Sequence, residues 1–220
     1  NPKEITVTPS ASTSSNIESL LINTTKKDKL NNLKAILDLE KIKNAVIFCN
    51  RKLEINKVSQ FLKNNNFKTV SLHGDMNQSS RILSLEEFKS GAAKILIASD
   101  VAARGLDVAG LSHVFNYDVP TNAEDYIHRI GRTGRAGLSG KAFTLYEEDD
   151  EKNILAIEKL INKKINFFNL RDTNDKSFNT KTNNKDYKIT NKKSNFNIPP
   201  VENFTNFQDS GNIPNFLTKK

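Results

Sequence analysis

Short, almost unbroken apolar runs, separated by amphipathic stretches, constrain this chain more than any other feature. The runs are NAVIFC at 44–49, TVSLH at 69–73, KILIAS at 94–99, HVFNYDV at 113–119 and KAFTLY at 141–146. They are rich in β-branched and aromatic side chains, and several lack the polar alternation of a strand with one wet face. Strands buried on both faces carry that signature. Between the runs the apolar period lengthens. Ile55, Val58, Phe61 and Leu62 share a helical face within 54–63. Ile82, Leu85 and Phe88 precede Gly91, a helix stop, and Ile154, Ile157, Leu160 and Ile161 mark a later helix. Strand and helix in alternation predict an α/β fold, a parallel sheet sandwiched by helices, over 28–165.

The flanks read differently. Residues 1–27 are rich in Ser and Thr, and Pro2 and Pro9 disfavour helix just before them, so this stretch reads as a linker or edge strand leading into the domain. Residues 166–220 hold thirteen Asn and seven Phe, with nine basic against five acidic side chains, and Pro199, Pro200 and Pro214 interrupt any period. They are expected to be a disordered basic tail. Phe scattered among Lys and Asn suits stacking on single-stranded RNA, and it equally suits a polar tail with no partner.

Charge narrows the partners. The 220 residues carry a net charge of +8, which favours nucleic acid or phosphate ligands. No apolar run approaches the length needed to cross a bilayer. Cys49 is the single cysteine, so an intrachain disulfide and a cysteine-rich metal site are excluded, and a reducing, cytoplasmic setting is expected.

In an open parallel sheet, ligands gather beyond the carboxyl ends of the strands. Asn50-Arg51-Lys52, His73-Gly74-Asp75, Ser99-Asp100 and Asp118 each follow one of the runs. After a short helical lead from Ala123 comes HRIGRTGRAG, His128 to Gly137, with three arginines and no carboxylate. All of these are expected on one rim. That rim offers Arg51, Lys52, Arg81, Arg104, Arg129, Arg132 and Arg135, the Ser99 hydroxyl, and backbone N–H groups near Gly74, Gly105 and Gly131, a complement to phosphate. If the segment is helical, Arg132 and Arg135 share a face and can grip adjacent phosphate oxygens. No GxxxxGK[ST] loop occurs, and no acidic pair stands ready for Mg²⁺. The domain thus contributes arginines to a phosphate site without building the whole of it.

The ordered set IFCNRK, HGDMNQSSR, EFKSG, ILIASDVAARGLDV, HVFNYDVP and DYIHRIGRTGRAG resembles the second RecA-like domain of DEAD-box ATP-dependent RNA helicases. The resemblance implies ATP and Mg²⁺ held mainly by a preceding N-terminal RecA-like domain of the same chain, and RNA as partner. Arg132 and Arg135 would be arginine fingers on the γ-phosphate. His128 and Arg129 would join this domain to the first one and its catalytic carboxylates. Asp107 would bind the ATP ribose. Arg51, Gln78, Arg81, Ser99, Arg104 and Gly105 would contact RNA, and Tyr126 would pack beneath the finger segment. Family members often carry Thr at the positions of Ser99 and Arg51; the first change keeps the hydroxyl, and the second puts the Arg51 contact in doubt. On this reading 1–27 leads in from the first domain, and the chain alone hydrolyses ATP poorly. The alternative is a stand-alone RNA-binding or adaptor module without ATPase activity.

Overall fold

The computed structural model describes residues 16–104, 110–135 and 137–170. Seven parallel strands form one sheet in the order β3-β4-β2-β5-β6-β1-β7. They are β1 (Ile17–Asn23), β2 (Ala45–Phe48), β3 (Thr69–Leu72), β4 (Ile95–Ala98), β5 (His113–Asn116), β6 (Gly140–Tyr146) and β7 (Asn166–Phe167). The helices are α1 (Lys29–Leu39), α2 (Lys52–Asn64), α3 (Gln78–Lys89), α4 (Asp100–Ala103), α5 (Ala123–Ile130) and α6 (Glu151–Ile161).

Strand residues alternate between two cores, as a period of two requires. Val46, Phe48, Leu96, Ala98 and Val114 face the layer of α3 to α6, where Phe88, Ala102, Tyr126, Ile130 and Ile157 are buried. Ala45, Ile47, Cys49, Ile95, Ile97 and Phe115 face α1 and α2, where Leu33, Ile36, Ile55, Val58 and Leu62 close the other side. With apolar cores on both faces, the runs could not show polar alternation. Burial pushes the Cys49 thiol pKa well up, which fits a packing role.

The domain is wider than 28–165. Ile17–Asn23, expected in the lead-in, is a strand seated between β6 and β7, with Leu20, Leu21 and Ile22 buried. Of the two readings of 1–27, linker or edge strand, these residues take the strand, inside the sheet rather than at its edge. β7 carries the sheet past 165. His113, which reads as a plain strand-edge residue, is buried on a central strand, between Ser112 and Glu40 and stacked in line with Phe115 and Phe143. Burial pushes its pKa down, outweighing the pull of Glu40.

Candidate functional site

The crossover helices set the site. β3, β4, β2 and β5 are neighbours and parallel, so their carboxyl ends form a continuous rim. Gln78 opens α3, whose N-cap Asn77 accepts from the Ser80 N–H at 2.8 Å. Ser99 caps α4, its hydroxyl accepting from Ala102 N–H at 3.4 Å. Arg51 is the exposed N-cap residue of α2. Lys52 pairs with Asp75 across the top, and that ammonium holds the Asp75 carboxyl below its usual range. Arg81 donates to the Ala102 carbonyl at 3.5 Å, and Arg104 pairs with Asp125 at 3.0 Å. α3, α4 and α5 are therefore stitched side by side, with their cations along one edge. Gly105 and Asp107 lie outside the described residues.

The arginine pair approaches this rim from the far end of α5. α5 starts after β5 and runs back against it, ending at Ile130 with Gly131 as its C-cap. Thr133 then bridges to Leu111, just ahead of β5, and donates to the Leu111 carbonyl. Gly134, in the left-handed region at φ 65, packs where any Cβ would overlap the Ile17 side chain. The backbone at Thr133 and Gly134 thus lies toward the amino ends of β5, β6 and β1, while the Arg132 side chain lines a cleft that Asp100 and Arg104 of the rim also line. The segment is a turn rather than a helix. Arg132 is half-buried in a cleft with Phe48, Asp100, Arg104, Asp125 and His128; Arg135 is exposed, its Nε donating to the Gly131 carbonyl. His128 is exposed on the last turn of α5, and Tyr126 is buried in the core.

Gly140 supports this turn through a close approach. A Cβ there would collide with the Thr133 side chain and stand 2.7 Å from Gly134 N. Gly140→Ala is expected to cost about 1–3 kcal/mol, the usual penalty of overpacking, as a lowered midpoint in thermal unfolding.

Arg129 is bonded throughout within this domain. It is 1 % exposed. Its Nε and one Nη2 donor fork onto Asp100 at 2.7 and 2.6 Å. Nη1 donates to Asn116 Oδ1 at 3.3 Å and the Asp118 carbonyl at 2.7 Å, and Nη2 also donates to Asn50 Oδ1 at 2.7 Å. A guanidinium has five N–H donors, and all five are committed inside the domain. The Phe48 ring lies 5.2 Å from the guanidinium carbon. Arg129 therefore ties the ends of β2, β4 and β5 to α5. The partners Asn50, Asp100, Asn116 and Asp118 were not legible as a set. The one signal was that Asn50, Asp100 and Asp118 each end an apolar run.

On the other side of Asn50, a cavity of about 240 Å³ is lined by Lys29, Arg51, Glu54, Tyr117, Asp118 and Glu147. Lys29 is buried there, 3.2 Å from Asp118 and 3.0 Å from Glu147, and 5.1 Å from the Tyr117 ring centroid. Burial alone would lower its pKa, but the two carboxylates raise it overall. This cavity neutralises its own charge and suits phosphate less well than the α3–α5 edge. Among the described residues, no group of three or more His, Cys, Asp or Glu side chains could hold a metal ion, and no helix is long and apolar enough to cross a membrane.

Residues 28–137 match the family model described as the helicase conserved C-terminal domain. The chain is 41% identical over 175 residues to the DEAD-box ATP-dependent RNA helicase RhpA of Helicobacter pylori, covering 80% of this chain and 36% of that protein. This is the C-terminal helicase domain of a DEAD-box protein. CshA of Bacillus subtilis, a DEAD-box ATP-dependent RNA helicase, is 37% identical over 74% of this chain. The E. coli DEAD-box protein SrmB, solved bound to the regulator of ribonuclease activity RraA, superposes with a TM-score of 0.67 at 27% identity, covering 76% of this chain and 98% of that one. The C-terminal domain of the DEAD-box protein Dbp5 gives 0.65 at 34% identity, covering 69% and 89%. The helicase domain described here spans about a third of the length of the curated relatives it matches. The sheet is RecA-like, with helices on both faces, as the sequence implies.

Proposed function

We propose that this domain is the second half of an ATP-dependent RNA helicase that separates short duplexes locally. A preceding RecA-like domain of the same parent chain, reached through the segment ahead of β1, would hold ATP and Mg²⁺. The observation that carries the reading is the division of cations. Exposed or half-buried polar and basic groups line the carboxyl rim at Arg51, Gln78, Arg81, Ser99 and Arg104, while Arg132, Arg135 and His128 belong to α5 and the turn below it. Arg135 and the outer rim can thus meet different ligands at once, with Arg132 and Arg104 on the cleft between them.

RNA would lie along the rim, with Gly105 among its contacts, gripped at phosphate and sugar and so with little sequence preference. Asp107 would bind the ribose. Arg132 and Arg135 would supply fixed positive charge to phosphoryl oxygens as the two domains close. ATP supplies the free energy of the cycle. Arg129 acts from beneath by holding α5 in place, and His128 faces outward toward the first domain.

The test is RNA-stimulated ATP hydrolysis by the complete protein, beside RNA binding by this chain over a range of salt. Stimulated turnover is expected only for the complete protein. RNA binding by this chain with no turnover in the complete protein would leave an adaptor module instead. Arg51→Ala and Arg81→Ala are each expected to reduce the slope of log affinity against log salt by about 1, across unrelated RNA sequences. An unchanged slope removes that residue from the RNA surface.

A further inference from the structure

We propose that Asn50 is the positioning residue through which RNA bound at the rim sets the finger segment, an inference that rests on the reading above. Asn50 stands at the end of β2, one residue before Arg51. Its amide links the segment ahead of α5 to the last turn of α5. Nδ2 donates to the Val119 carbonyl at 2.8 Å, in the turn that leads into α5. Oδ1 accepts from Arg129, in the last turn of α5, at 2.7 Å. Its own backbone N–H donates to Asp118 Oδ2 at 2.9 Å. Asn50 itself is exposed, so its bonds orient neighbours rather than fill a core.

The geometry makes a short lever. A load on the Arg51 side chain or its peptide moves Asn50. Asn50 moves both the start of α5 and the guanidinium that anchors its end, and the turn bearing Arg132 and Arg135 follows. The Arg81 and Arg104 links hold α3, α4 and α5 together at the edge. Only Asn50 among the described residues bonds both the turn into α5 and the anchored arginine by side chain.

The experiment compares wild type, Asn50→Ala and Asn50→Asp in the complete helicase. It reads ATP turnover with and without saturating RNA, the RNA affinity and the thermal midpoint. Asn50→Ala is expected to lower RNA-stimulated turnover about tenfold, the order expected of one hydrogen bond to a charged group. Unstimulated turnover and RNA affinity should stay at the wild-type level. Asn50→Asp keeps an acceptor for Arg129 and loses the donor to Val119, so it should recover part of the stimulation. Stimulation of Asn50→Ala equal to that of wild type overturns the role of Asn50 alone. A proportional fall in both rates, with a lowered midpoint, makes Asn50 merely structural and overturns it too. A wild type that RNA does not stimulate overturns the functional reading, and the lever with it.

Discussion

Arg135→Ala in the complete helicase is expected to lower RNA-stimulated ATP turnover by about 10³-fold or more, the range associated with removing an arginine finger. RNA affinity should hardly change. The reason is position. Arg135 is exposed, its guanidinium Nε donates to the Gly131 carbonyl, and it lies away from the rim where the proposed RNA contacts sit. Arg135→Lys should recover little, because an ammonium keeps the charge and loses the planar fork. Turnover that survives in Arg135→Ala would remove this side chain from the nucleotide site. A parallel loss of RNA affinity would place it on the RNA surface instead.

Arg129→Met should act on the fold itself. Removing the guanidinium leaves Asp100 half-buried without its fork, and takes donors from Asn50, Asn116 and the Asp118 carbonyl. Breaking a buried pair from one side costs about 3–5 kcal/mol. In a domain of this size that lowers the melting midpoint by of order 10 °C. Differential scanning calorimetry on this chain reads it without any ligand. A midpoint within a degree or two of wild type would mean the five bonds are dispensable to the fold, and that Arg129 serves the other domain after all.

The two arginines also show what the sequence could disclose. Both belong to one motif, in which the resemblance gave Arg132 and Arg135 the γ-phosphate and Arg129 the join to the first domain. Their surroundings separate them. Arg129 precedes the C-cap of α5 and its long side chain reaches back up to the rim, whereas Arg132 and Arg135 follow Gly131 and fall beyond the helix. That depends on where α5 stops and on its antiparallel course beside β5, which local sequence does not settle. The central strands were plain because both faces are apolar, as in AVIF and ILIA. IESLLIN was obscured by Glu18 and Ser19, and α1, with two Lys, two Asn and an Asp on KLNNLKAILDL, escaped notice. Asn50 was visible as a residue at a strand end. Its two partners come from elements far along the chain, and only the fold brings them together.

The placement of β1 bears on how the domain is made. Ile17 registers against Gly140, and Asn23 against Tyr146. During synthesis the first strand emerges long before the strand that receives it. Until β6 has left the ribosome, Leu20, Leu21 and Ile22 have no sheet to enter, and Gly134 lacks the Ile17 side chain it packs against. Pairings this distant in sequence slow folding. The turn that bears Arg132 is therefore among the last parts of the domain to take shape.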